Sequence, residues 1–349
     1  MTAKNIFRAT LAALAVSAVV GCGSSNSSGN GSSGNGSSGS SKAATYVYVI
    51  QNPLSGGTGE VLAFAAGANG STAPAATLIA PAGMDIFAVA TDASGQIYVA
   101  GYLPSSVLAV IEVYAAGASG AATPVRTIDT PSLYTPSEMV IDSSGSLYTV
   151  DPDDGEVNVY SSTANGPATP TRIITGPLTQ LSLNLSEAVA VDASGNIYVA
   201  TANIGASSAT GAVFVFSPTA NGNVAPSRVI TNPNGLFLGE AIDASGNLYL
   251  SLDTITTPYT GAIVEYAPGA SGAAVPIRTI AGTATDLITA GGVSVDGTGN
   301  IYVADQSQIS NGVSYTLEEF AASASGDAAP AAVISSTSWN NAPASIASH

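Results

Sequence analysis

The sequence predicts an all-β fold, a six-bladed β-propeller of four-stranded antiparallel blades, closed by a C-terminal strand that joins the N-terminal blade. Three observations predict it. Tyrosines stand 50 residues apart at Tyr48, Tyr98, Tyr148 and Tyr198, and the series continues at Tyr249 and Tyr302. Each interval holds four short apolar runs divided by Gly, Pro and Asp turns, the signature of propeller blades. No segment of residues 43–349 shows a helical period of useful length.

Before the repeats come two segments of a different kind. Residues 1–21 read as a signal peptide: Lys4 and Arg8 precede the apolar run 9–20, which is too short to span a bilayer as a helix. Residues 22–42 begin with Cys22, the only cysteine, and continue as a Gly/Ser/Asn tract. Such a tract buries no apolar surface and is read as a flexible tether, roughly 25 Å in mean span. The sequence Val19-Val20-Gly21-Cys22 resembles the bacterial lipoprotein signal. That resemblance implies cleavage before Cys22, diacylglycerol on its thiol, and a second acylation such as palmitate. It places the protein in the bacterial cell envelope, anchored to a membrane outside the cytoplasm. Gly23 after the cysteine resembles the outer-membrane sorting pattern of Gram-negative lipoproteins.

Each repeat reads as four strands. The first is an apolar run such as 188–191, and a tight Asp-x-Ser-Gly turn follows it at Asp92, Asp142, Asp192 and Asp243, with Asp296 as a variant. The second strand carries the periodic tyrosine. The third ends in an aromatic: Phe64, Tyr114, Tyr160, Phe216, Tyr266 or Phe320. A glycine and then Pro-x-Arg-x-Ile lead into the fourth, with Arg126, Arg172, Arg228 and Arg278 in four copies and Ala76 and Ala332 in the outer two. Such regular placement points to a structural job for the arginines, stacking on the third-strand aromatic or pairing with a carboxylate. The first unit lacks a first strand, and residues 343–349 supply one at the other end of the chain. Closure of this kind removes the free sheet edges that invite aggregation.

The repeat unit resembles the NHL-type repeat and its relatives, the gluconolactonase/regucalcin-like and streptogramin-lyase-like propellers. The resemblance covers about residues 43–349 and implies a fold more than a function. Streptogramin-lyase-like enzymes rely on a catalytic histidine, whereas the one histidine here is His349 at the chain end. Gluconolactonase-like enzymes hold a divalent metal around the axis.

Composition excludes further classes. One cysteine excludes a disulfide framework and a cysteine-based zinc site. Seven Lys and Arg against 23 Asp and Glu, a net charge of −16, leave too few cations to neutralise a nucleic-acid backbone. The expected function is that of a monomeric, lipid-anchored binding or interaction module, with a protein, a glycan or a small ligand on its loop face. The alternative is a metal-dependent, lactonase-like hydrolase.

The long and variable loops, second-to-third and fourth-to-first strand, mark the working surface. Tyr102, Tyr134, Phe237, Tyr259 and Trp339 are candidate partner anchors there, or caps on blade packing. Glu138, Glu187 and Glu240 near the starts of first strands, with Asp151, Asp253 and Asp305 at the ends of second strands, form a candidate rim around the channel mouth. Oxygen ligands of this type suit Ca²⁺ or Mg²⁺, and the same residues also serve as hydrogen-bonded rim carboxylates. No catalytic residue is assigned.

Overall fold

The computed structural model describes residues 46–52, 57–104, 106, 108–131, 133–181, 185–204, 209–232, 235–254, 260–309, 312–335, 339 and 346–348. Of these, 185–187, 203–204, 209, 307–309 and 312–314 are described by backbone alone. The signal and tether segments lie outside the described residues.

The six units fold as six antiparallel blades. Blade 1 contains β1 (Tyr46–Gln51), β2 (Glu60–Ala65) and β3 (Ala76–Ile79), and takes its inner strand from β25 (Ile346–Ser348). Blade 2 is β4 (Asp85–Thr91), β5 (Ile97–Tyr102), β6 (Val110–Tyr114) and β7 (Arg126–Asp129). Blade 3 is β8 (Glu138–Ile141), β9 (Leu147–Asp151), β10 (Glu156–Tyr160) and β12 (Arg172–Ile174); the two-residue β11 (Gly166–Pro167) pairs instead with β7. Blade 4 is β13 (Leu185–Val191), β14 (Ile197–Ile204), β15 (Ala209–Phe216) and β16 (Arg228–Asn232). Blade 5 is β17 (Leu236–Ile242), β18 (Leu248–Thr254), β19 (Thr260–Tyr266) and β20 (Arg278–Ile280). Blade 6 is β21 (Ala290–Val295), β22 (Ile301–Ile309), β23 (Gly312–Phe320) and β24 (Ala332–Ser335).

Closure follows the sequence expectation. β25 pairs antiparallel with β1, Val47 opposite Ser348 and Val49 opposite Ile346. Each inner strand packs on the next, from β25 through β4, β8, β13, β17 and β21 back to β25. Both faces of these strands are covered, so β8, β17 and β21 are buried at every position. Crowding near the axis explains small residues there. A Cβ on Gly239 of β17 would lie 2.8 Å from the Gly291 carbonyl oxygen in the next blade, so the two backbones touch directly. The third-strand aromatics Phe64, Tyr114, Tyr160, Phe216, Tyr266 and Phe320 are all buried between blades. Each contributes roughly 2–3 kcal/mol of apolar burial.

The turn face is built from one repeated device. Asp92 Oδ1 accepts the Ser94 and Gln96 backbone N–H groups at 2.9 and 3.0 Å, and the same pattern recurs at Asp142, Asp192, Asp243 and Asp296. The turn glycines, Gly95 to Gly299, hold φ between +81° and +85°, which an L side chain resists.

The arginines do something the repeat pattern did not reveal. They stack on the second-strand tyrosine of their own blade rather than on the third-strand aromatic. Arg228 lies 5.6 Å from the Tyr198 ring centre, and Arg126, Arg172 and Arg278 do the same on Tyr98, Tyr148 and Tyr249. Each also reaches the next blade. Arg126 Nη1 donates to the Ser162 and Ala164 carbonyls at 2.9 and 3.0 Å, while its Nη2 donates to the Tyr98 hydroxyl at 2.9 Å. That hydroxyl in turn donates to Asp92 Oδ2 at 3.3 Å. Only Arg278 meets a carboxylate among the described residues, Glu265 at 2.5 Å. The periodic glycine before the proline, at φ +61° to +68°, pairs with the outer strand of the preceding blade; Gly70 and Ile334 complete that circle across the closing seam.

Candidate functional site on the loop face

The opposite face carries the second-to-third and fourth-to-first loops. Two of its carboxylates fasten loops to strands. Asp151, buried at the end of β9, accepts the backbone N–H groups of Tyr134 at 2.7 Å and Asp153 at 3.0 Å. Asp305 stands at the same distance from its own periodic tyrosine and accepts those of Ile288 and Thr289, both at 2.9 Å. Each ties the fourth-to-first loop of its blade to the second strand. The other blades have Gln51, Gly101, Thr201 or Leu252 at this position.

The glutamates near the first strands do not form a ring. Glu138 lies opposite Val150 and Glu240 opposite Leu250. Counted from the blade tyrosine these are the second and first positions, and one residue of offset turns a side chain to the other face of the sheet. Glu138 therefore reaches forward, where its Oε2 accepts the Val189 N–H of blade 4 at 3.1 Å. Glu240 reaches back toward the same blade and is fully buried. Neither of its oxygens has a hydrogen-bond partner of ordinary geometry. Burial holds its carboxyl well above the usual carboxylate range, with the Ala190 and Ala200 N–H groups offsetting part of that. Glu187 sits at a bulge between Ser186 and Ala188, and its side chain lies outside the described residues.

A carboxylate group that spacing did not single out occurs between blades 5 and 6. Glu318 of β23 is 2% exposed and lies opposite Val303, two residues from Asp305. The Thr316 hydroxyl donates to its Oε1 at 3.2 Å, while Oε2 has no partner. Burial, then the charges of Asp305 and Asp286, push it up to about 8. Asp253 is pushed up to about 7 by burial and Asp305, and its Oδ1 is also unpartnered. A charged residue in phase with buried Phe320 and next to buried Leu317 on a third strand was the available signal for Glu318. Among the described residues, no group of three or more His, Cys, Asp or Glu side chains is placed to hold one metal ion.

The candidate anchors divide by burial. Tyr134 is 45% exposed. Tyr102 is half-buried; its hydroxyl donates to the Tyr134 carbonyl oxygen and is pushed up to about 12 by burial and by Asp151 and Asp153. Two expectations need correction. Phe237 is wholly buried, because its position on β17 faces blade 4, where its ring closes against Gly211. Trp339 is buried edge-on against Phe64, with ring centres 5.9 Å apart at 84°, and so caps the closing seam. Tyr259 lies outside the described residues. Leu178, on the loop after β12, is 56% exposed and extends the apolar part of this face.

No protein-family model matches the chain, and no curated protein sequence does. Solved structures do. A protein of unknown function from Bacteroides caccae superposes with a TM-score of 0.55 at 10% identity, covering 88% of this chain and 99% of that one. A chain of a nidogen/laminin complex superposes at 0.52 with 15% identity, covering 87% and 98%. At such identities the likeness is one of fold alone: this chain is a closed six-bladed β-propeller.

Proposed function

We propose that this protein is a lipid-anchored, extracytoplasmic binding module that holds a partner on its loop face. One contrast carries the reading. The turn face repeats a single hydrogen-bonded device in five blades, whereas the loop face changes from blade to blade on a scaffold that pins it through Asp151 and Asp305. Variable loops on a rigid frame are where recognition is usually placed. A fold that hosts interaction modules is compatible with this, and the sequence around Cys22 supports the anchor. Two acyl signals together hold a protein at a bilayer far more firmly than one.

Two experiments test it. Cys22→Ser in the full chain abolishes incorporation of a labelled fatty acid and releases the protein from the membrane fraction; unchanged incorporation contradicts the anchor. A photo-reactive side chain placed at Tyr134 captures a discrete partner in cells, while the same group at Val275, 83% exposed on the outer edge of blade 5, does not. Equal capture from both positions, or none from either, contradicts the loop-face reading.

A further inference from the structure

The two faces differ in charge as well as in regularity. Beyond residue 42 the chain has four basic residues other than the terminal His349, namely Arg126, Arg172, Arg228 and Arg278. All four start fourth strands on the turn-face side and spend their donors on the clamps between blades. No loop of the opposite face contains Lys, Arg or His in its sequence. That face exposes Asp85, Asp129, Asp153, Asp154 and Asp286. The carboxyl of Asp154 is raised by burial and by the neighbouring charges of Asp151 and Asp153, so three carboxylates crowd this part of the face. A second sign lies beneath that surface. Glu318, 2% exposed and with Oε2 unpartnered, lies beside Asp305 and Asp286 under the same face, a buried acceptor that no cation meets among the described residues.

From this segregation we infer that the loop face docks a basic polypeptide segment, one presenting several Lys or Arg side chains. The inference rests on the reading of that face as a binding surface and names the chemistry of its partner. A single metal ion fits less well, because the carboxylates do not converge on one point among the described residues. They are spread in at least two groups, around Asp153 and Asp154 in blade 3 and around Asp253 and Asp286 at the seam of blades 5 and 6. Charges spaced along a chain answer to charges spaced across a face. The exposed Tyr134 and Leu178 add apolar area on which the stems of lysine and arginine can lie. A field of one sign across the face also speeds encounter with a cationic partner and repels anionic ones.

The test uses the full chain and three fluorescent peptides of equal length: Lys/Gly, Ser/Gly and Glu/Gly. The Lys/Gly peptide binds, the other two do not, and binding weakens as salt is raised. Asp153→Asn with Asp154→Asn weakens it about fivefold, and so does Asp253→Asn with Asp286→Asn. Glu319→Gln is the control for net charge. It lies on the turn-face side of β23, opposite Tyr302, where its Oε2 accepts the Gly67 N–H at 2.7 Å, a bond the amide oxygen of glutamine keeps. It changes affinity by less than about twofold. Three results overturn the inference: a Lys/Gly peptide that binds no better than Ser/Gly, loop-face pairs without effect, or a Glu319→Gln loss as large as theirs. If the peptide fails while Tyr134 still captures a partner, the basic-partner inference falls alone. If both fail, the reading of the loop face falls with it.

Discussion

The seams between blades 2 and 6 are sealed by one repeated arginine device, while the two seams that flank blade 1 are each sealed differently. Where Ala76 replaces arginine, the side chain of Asn52 bridges to Ile86, donating to its carbonyl at 2.6 Å and accepting its N–H at 3.0 Å. Where Ala332 replaces it, Glu319 accepts the Gly67 N–H at 2.7 Å and Ser294 meets Ser348 at 2.8 Å, beside an Asn69–Val333 bond that recurs as Asn221–Ile173 at the seam of blades 3 and 4. Copying a unit reproduces contacts that lie within the array, but a ring cut between two strands of one blade must close with chemistry found only at its ends. The repeated device combines charge-assisted bonds to two carbonyls with a cation–π contact, which together outweigh one neutral amide bridge. Blade 1 is therefore the weakest arc of the circle.

The largest expected effect comes from removing the closing strand. Deleting 346–348 exposes the β1 edge and the pocket of Ile346, and lowers stability by about 5 kcal/mol or prevents folding. A chain that melts unchanged contradicts closure.

Next comes pH. Glu318 and Asp253 are held above the usual carboxylate range in the folded state, so the fold binds protons that the unfolded chain has released. Stability therefore falls as pH rises from about 4.5 through 7–8, and Glu240, raised by burial, adds to the fall. Glu318→Gln removes part of this slope and raises stability at pH 8 by on the order of a few kcal/mol. Denaturant titrations across that range check both the sign and the loss of slope.

Arg228→Ala tests the repeated device directly. It takes away the bonds to the Ala270 carbonyl and the Tyr198 hydroxyl, at 2.8 and 2.9 Å, and the stacking on that ring. The expected cost is about 2 kcal/mol in a thermal or denaturant melt. Ala76→Arg is the reverse experiment and the smallest effect. It places a guanidinium near the Tyr48 ring and the Ala116 and Ala118 carbonyls, the counterparts of the groups Arg126 uses. It raises stability by about 0.5–1 kcal/mol; a destabilised variant would show that blade 1 cannot accept the device.

The repeat, the strand order and the closing strand were legible because they depend on period and on apolar phase within one unit. The arginine partners were not. They are backbone carbonyls 36 to 48 residues onward in the next unit, and a carbonyl leaves no mark on the sequence. The positions of Asp151 and Asp305 were legible for the same periodic reason, and the loops they fasten emerged only with the fold. The glutamates were misleading as a set, since a shift of one residue between Glu138 and Glu240 sends them to opposite faces. Phe237 and Trp339 looked available because what buries each comes from another part of the chain, Gly211 for the first and Phe64 for the second.

Native-state hydrogen exchange read by mass spectrometry tests the asymmetry of the ring most directly. The account predicts that amides of β1, β2 and β3 exchange through a lower-energy opening than the equivalent amides of β14, β15 and β16, and that Ala76→Arg narrows the gap. Uniform protection around all six blades, or blade 4 opening before blade 1, would contradict it.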